Sequence, residues 1–507
     1  MFKKILLLII TISLLTNCQA RQSPILPELK VGLESNPTNL DPRLASDAMS
    51  ARVTQIVFNS LVRLNAQAQL TPELAEKWEM PDDVTYVFYL RRGVKFQDGQ
   101  ELIAQDVEYT YQSILAPESL SPRRSSYEVI KRIELIDDYT IKFSLHRPFA
   151  PFLLNMTMAI IPRHLGNNPD FSRHPVGSGP FQLMDWQPDE QLVFRRHDRY
   201  FEGKPPLERI IYKIIPEDTT RVLALKKADL DLVQNAVPPD LLANLEAESH
   251  LQVLRKPGTT YEYLAFNLRD KILGQKKVRQ AIAMSIDRPI MVHHLLIGLG
   301  TLAQSLLPAG NWAYNANLPE TLYNPEQARK LLDEAGFPDP DGAGPQVRFN
   351  LVYKTSQNEL SRRKAEVIQA DLKNVGIGVE INSYEWGSFF ADISAGNFQL
   401  CSLQWVGVTD PDIYYYIFHS QSIPPNGANR GHYLNPALDR LLEQGRQTLD
   451  EGQRSRIYQQ VQQIIADDLP YVSLWHNMNV VVMNKRVQGF EIYPAGDFTS
   501  LKRAAVR

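Results

Sequence analysis

One stretch of this chain is apolar enough to interest a membrane, and it is too short to cross one. The run from Ile5 to Leu15 follows a basic head, Lys3-Lys4. It has the length of an export-leader core, well under the roughly 20 residues a spanning helix needs. The later run Val406 to Phe418 is interrupted by Thr409, Asp410, Pro411 and Asp412. Everything after the leader must therefore bury its apolar residues in cores of its own. Roughly 490 of the 507 residues remain, which exceeds what one core holds, so two or three domains are expected. A hydrophobic share of 44% and a charged share of 22% suit such a body. A net charge of −3, with no basic stripe, argues against nucleic acid and against a polybasic membrane face.

The leader ends at Leu15-Thr16-Asn17-Cys18. This resembles the lipobox of bacterial lipoproteins, in which the Cys is lipidated and becomes the first residue. Asn17 stands where that pattern has Gly, Ala or Ser. The alternative is a secretory leader cut slightly later. Either reading implies export and leaves cytosolic ATP or nicotinamide chemistry without a place. The segment Gln19 to Glu28 is polar with two prolines, as a tether would be. With Cys18 lipidated, Cys401 has no disulfide partner, and its strand-like setting suits a buried small hydrophobe.

Strands and helices mix without a βαβ rhythm. Leu29–Leu33, Thr85–Leu90, Thr140–Leu145, Gln191–Arg195 and Ile210–Ile215 are predicted strands, and Thr54–Leu64 a helix. Asn324-Pro325 and Asn435-Pro436 each open a helix, with Asn capping and Pro in the first turn. Gly336 and Gly445 are the expected stops. Val278, Ala281, Ile282 and Ser285 mark a further helix, and Phe337 to Pro345 a surface loop.

Several stretches together are similar to one family. They are Leu74 to Ser113, Gly177 to Phe181, Val278 to Arg288, Asn324 to Phe337, Asn429-Arg430 with Tyr433 and Asn435-Pro436, and Pro470 to Phe490. In this order they resemble the family 5 extracellular solute-binding proteins, the peptide- and nickel-binding lipoproteins of ABC importers. Locally the blocks read as structure: Lys95 to Gly99 is a turn, and Asp106 a helix cap. The resemblance implies an α/β, two-lobed periplasmic-binding-protein-like fold of class II type. A signal peptide would occupy 1–18 and a tether 19–25. Domain I would be discontinuous (26–59, 163–261 and 477–507), domain II an insert (60–162), and domain III the far lobe (262–476). Strand crossovers near Tyr261–Leu264 and His476–Met478 would form the hinge.

The function so implied is capture of di- or oligopeptides between the lobes and delivery to a membrane permease, with ATP hydrolysed by partner subunits. Main-chain pairing at exposed strand edges would hold the ligand. The matching edges here are Glu34-Ser35 after the first strand and Gln404-Trp405-Val406. Peptide-binding members carry an Asp three residues after that Trp, for the ligand ammonium; Val408 stands there, and Asp410 is the nearest acid. Arg430 is a candidate for a ligand carboxylate or for an ion pair with an acid such as Asp410. Glu34 is a candidate ligand contact or a partner for a domain III base. No cofactor or metal is expected, and the protein is expected to be a monomer, exported and held to a membrane by the lipid alone.

Three other classes compete. Catalysis would need a nucleophile elbow, HExxH or a phosphate-cradling loop, and none occurs. A receptor for nickel or a metal chelate shares the family, but His293-His294, the only His pair, diverges on a helix. A non-transport envelope lipoprotein could use the same fold.

Overall fold

The computed structural model describes residues 27–45, 47–342 and 344–507. The expected leader over 1–18 with Cys18, and the tether over 19–25, lie outside the described residues.

Two long strands organise the chain. Leu251–Phe266 and Tyr471–Asn484 run antiparallel at the centre of an eleven-stranded sheet. Leu251 to Pro257 pairs with Met478 to Asn484. On this side the sheet continues through Leu232–Gln234, Glu28–Leu33, Arg209–Ile214, Gln191–Arg196 and Phe181–Gln187. Tyr261 to Ala265 pairs instead with Tyr471 to His476, and the sheet continues through Leu400–Trp405, Phe349–Ser356 and Ile377–Tyr384. Between the halves the register slips: Pro257 faces Met478, Tyr261 faces His476, and a second shift separates Glu262 from Tyr263. Such bulges bend and twist a strand pair. The result is an α/β molecule of two lobes threaded by the same two strands.

The cores follow that division. Leu29, Val31 and Leu33 are buried and pack with Ile56, Phe194, Tyr212, Val481 and Phe498 in the first lobe. Gly32 points the other way, where a Cβ would sit 2.7 Å from the Leu230 side chain. The second lobe holds two clusters whose members lie between Tyr261 and Trp475. A separate core between Leu61 and Ile160 is built on a four-stranded antiparallel sheet. Its strands Thr85–Leu90 and Thr140–Leu145 alternate buried and half-buried residues, and Phe88 meets Phe143 edge-on at 5.8 Å.

Two of the quoted motifs meet where this unit joins the first lobe. The Gln97 amide, in the Lys95–Gly99 turn, accepts from Gly177 N–H at 2.9 Å. It donates to the Val57 and Phe181 carbonyls at 3.0 and 2.9 Å. A Cβ on Gly177 would lie 2.1 Å from the Val57 oxygen, so only glycine fits.

Asn324 and Asn435 cap their helices as expected, and Gly336 takes φ +89° at the end of the first. Three local expectations are corrected. The helix placed at Thr54–Leu64 spans Ala48–Val57, capped by Asp47, and Val62–Leu64 is a strand. The Glu73 carboxylate holds the Asn59 amide and Ser60 N–H and ends the helical run. Asp106 sits in the first turn, with Ile103 at the cap; its carboxylate accepts from Ile103 N–H and from Arg163 N–H. Gly445 does not stop its helix, which runs Pro436–Gln447; it makes room for Tyr458, 2.8 Å from where a Cβ would be.

Candidate functional site

The strand Leu400–Trp405 ends at the kink, with Trp405 opposite Tyr261 and Gln404 opposite Glu262. Trp405 is half-buried, and Gln404 and Val406 are exposed. The Trp405 ring lies parallel to Tyr263 at 6.2 Å, and Tyr263 stacks in turn on Tyr471 at 4.1 Å. Tyr416 meets Trp405 edge-on at 6.1 Å. This aromatic stack is anchored in the second-lobe core and surfaces at Trp405.

Arg430 completes the wall. Its guanidinium carbon lies 5.3 Å from the Trp405 ring centre and 5.0 Å from that of Phe390, within cation–π range of both. Phe390 and Trp386, both exposed, stack on each other at 5.6 Å. The loop carrying Arg430 is pinned from behind: Leu268 N–H donates to the Gly431 carbonyl at 2.8 Å, and a Cβ on Gly431 would strike the Phe266 oxygen. Arg430 Nε and Trp405 Nε1 are buried donors with no hydrogen-bond partner among the described residues. Unpartnered buried donors are uncommon.

The acidic candidates are placed differently from expectation. Asp410 does not pair with Arg430; Arg454 grips both its oxygens, at 2.7 and 3.0 Å. That bidentate pair already supplies the carboxylate with a cation inside the second lobe. Asp412 is held by Arg446 at 2.9 Å, and burial pushes its carboxyl above the usual range. Val408 is buried in the second-lobe core, its N–H donating to the Thr259 carbonyl at 3.1 Å. Glu34 pairs with Arg52 of its own lobe at 3.2 Å, not with a domain III base, and its other oxygen is buried without a partner. Ser35 beside it is exposed.

Other residues of this region were not among the candidates. Trp386 and Phe390 share an amphipathic helix, Trp386–Ser394, where the aromatic spacing reads as a core stripe; only Phe389 points inward. The C-terminal loop is another. Pro494 accepts from Thr259 N–H at 3.0 Å and from the Asn479 amide at 2.9 Å, which ties the loop to the strand kink. Asp497, next in that loop, has its carboxyl raised by burial. Sequence offers no sign of these, because they meet only through the fold. Further out, Ala150 N–H donates to the Arg446 carbonyl at 2.7 Å, and the Arg446 guanidinium covers Phe149 and Tyr415. The insert and the second lobe therefore touch.

Among the described residues no three His, Cys, Asp or Glu side chains gather as for a metal ion. No described helix is long and apolar enough to cross a membrane. Burial pushes the Cys401 thiol up to about 12, far from a nucleophile's range. A small cavity inside the second lobe includes Arg288, but the Ala303, Thr321 and Ser473 carbonyls take that guanidinium.

Residues 69–425 match the model of the bacterial extracellular solute-binding proteins, family 5. The chain is 31% identical to the oligopeptide-binding protein AppA of Bacillus subtilis, over 96% of this chain and 94% of that one. It is 28% identical to the dipeptide-binding protein of Escherichia coli, over 91% and 92% of the two chains. The solved structure of the Bacillus subtilis oligopeptide-binding protein AppA with a nonapeptide superposes with a TM-score of 0.86, at 30% identity, covering 95% of this chain and 99% of that one.

Proposed function

Because this chain belongs to the family 5 bacterial extracellular solute-binding proteins, we propose that it is the substrate-binding protein of an ABC importer for peptides. The ligand is captured between the lobes and handed to a membrane permease, while partner subunits hydrolyse ATP. The observation that carries this reading is the aromatic wall at Trp405, set beside the kink of the two strands that join the lobes. A surface of that kind buries apolar ligand area while neighbouring strand ends supply main-chain partners. Glu34-Ser35 and Gln404-Trp405-Val406 line the two sides, and Arg430 lies on the second-lobe side. Asp410 drops out of the ligand set.

The hinge is the bulge between Pro257 and Tyr261 with Asn477 opposite, and the domains are 26–59 with 163–261 and 477–507, the insert 60–162, and 262–476. A few residues that absorb φ/ψ change are enough for closure. The protein works outside the cytoplasm as a monomer, through a lipid on Cys18, and returns its ligand chemically unchanged.

Thermal unfolding against di- to nonapeptide mixtures tests this. A ligand at about 100 times its Kd stabilises by about 2.7 kcal/mol and raises the Tm accordingly. Peptides recovered afterwards have unaltered mass. Trp405→Ala keeps the fold and loses the shift. No shift with any mixture at millimolar concentration refutes the peptide assignment; cleaved peptides refute the receptor role.

A further inference from the structure

Three second-lobe carboxylates have cationic partners of their own: Asp410 has Arg454, Asp412 has Arg446, and Asp392 has Lys354 at 2.6 Å. Glu385, at the head of the Trp386 helix, caps it through Ser388 N–H. No carboxylate among the described residues is within ion-pair distance of Arg430. Its guanidinium lies instead against two rings, its Nε buried and unpartnered. A cation held this way is oriented without being neutralised. Aromatic faces fix the plane of the fork and take away water, yet they accept no hydrogen bond in that plane. The position expected to carry an ammonium acceptor holds a buried valine, and the next acid along the chain is paired with Arg454.

We propose that Arg430 is the carboxylate receptor of this cleft, so that the second lobe selects ligands by an anionic group and not by a free ammonium. This rests on the peptide-capture reading and gives it a charge preference. The anion is the C-terminal carboxylate or an Asp or Glu side chain of the ligand. Both present the planar two-oxygen acceptor that a guanidinium fork matches.

The test is retention of defined libraries by the full-length protein. One tripeptide-to-nonapeptide library is made as free acid, as C-terminal amide and as N-acetyl free acid, each with and without Asp and Glu. Mass spectrometry reads the retained fraction. Free acids are expected to be retained about 10- to 100-fold better than amides, the worth of a hydrogen-bonded charge. N-acetylation is expected to change little. If acidic side chains are the anion, the preference persists in amides that contain Asp or Glu and vanishes in those that lack them. Arg430→Gln is expected to bring the ratio near unity, while Arg430→Lys keeps the charge, loses the fork and falls between. Melting curves of both variants check the fold, and the lysine variant carries the test if the glutamine variant unfolds. Equal retention of acids and amides, or a ratio unmoved by both substitutions, overturns the proposal. Retention of no library at all overturns the peptide reading instead.

Discussion

Asp410→Asn separates a structural carboxylate from a ligand-binding one. The pair it breaks is secluded: the Arg454 side chain is 7% exposed and that of Asp410 16%. Removing one partner of a buried pair costs about 3–5 kcal/mol, because the other charge is left without compensation. Two features reduce the loss. Arg454 Nε keeps its bond to the Gly445 carbonyl. Asp412, whose carboxyl is raised by burial and by the nearby Asp410 charge, is relieved of that repulsion. The net expectation is a loss of about 3 kcal/mol. Urea unfolding without ligand reads it as a lower midpoint at unchanged slope. Calorimetry on the folded variant should give peptide affinity close to that of the parent. Asp410→Leu with Arg454→Met should recover most of the stability, since a well-packed apolar pair replaces an ionic one at little net cost. A variant with an unchanged midpoint and affinity reduced tenfold or more would refute the reasoning and return Asp410 to the ligand.

Two further outcomes are expected. Burial lowers His476 from 6.5 to about 4, and its Nε2 faces the Ser305 carbonyl at 3.2 Å. The unfolded chain binds the proton first, so stability present above about pH 6.5 falls as the pH drops toward 4, by about 3 kcal/mol at most, and His476→Gln should flatten that part of the curve in denaturant titrations at several pH values. Gly177→Ala forces a Cβ to 2.1 Å from the Val57 oxygen and should cost more than about 2 kcal/mol, read as a lower melting temperature with the insert's own near-ultraviolet spectrum retained.

Much of the fold was legible because it is written in local grammar. Asn-Pro helix starts, the β-branched and aromatic strands of the insert, and the Asp-Gly turn need only their neighbours to be understood. The helix expected at Thr54–Leu64 failed for a reason outside its own window. Glu73, in the bend after the strand Leu70–Pro72, captures the backbone at Ser60 and turns the segment extended. Gly445 misled in the same way: glycine is a stop signal locally, but here it is space for Tyr458 from the next helix. The site was half legible. Trp405 and Arg430 are brought together as neighbours on one wall. The pairing of Asp410 was not legible because its partner, Arg454, lies on a helix 44 residues further along the chain. Charge pairing between distant elements leaves no periodic trace.

The two long strands also set an order of assembly. The second-lobe cores draw only on residues up to Trp475, so they can be completed without the segment that follows. The first lobe cannot. Its opening strand, Glu28–Leu33, waits beside Leu232–Gln234 for Met478–Asn484. The lobe that holds the upstream strand is therefore the one whose sheet closes last, and disrupting Met478–Asn484 would strike the first lobe harder than the second.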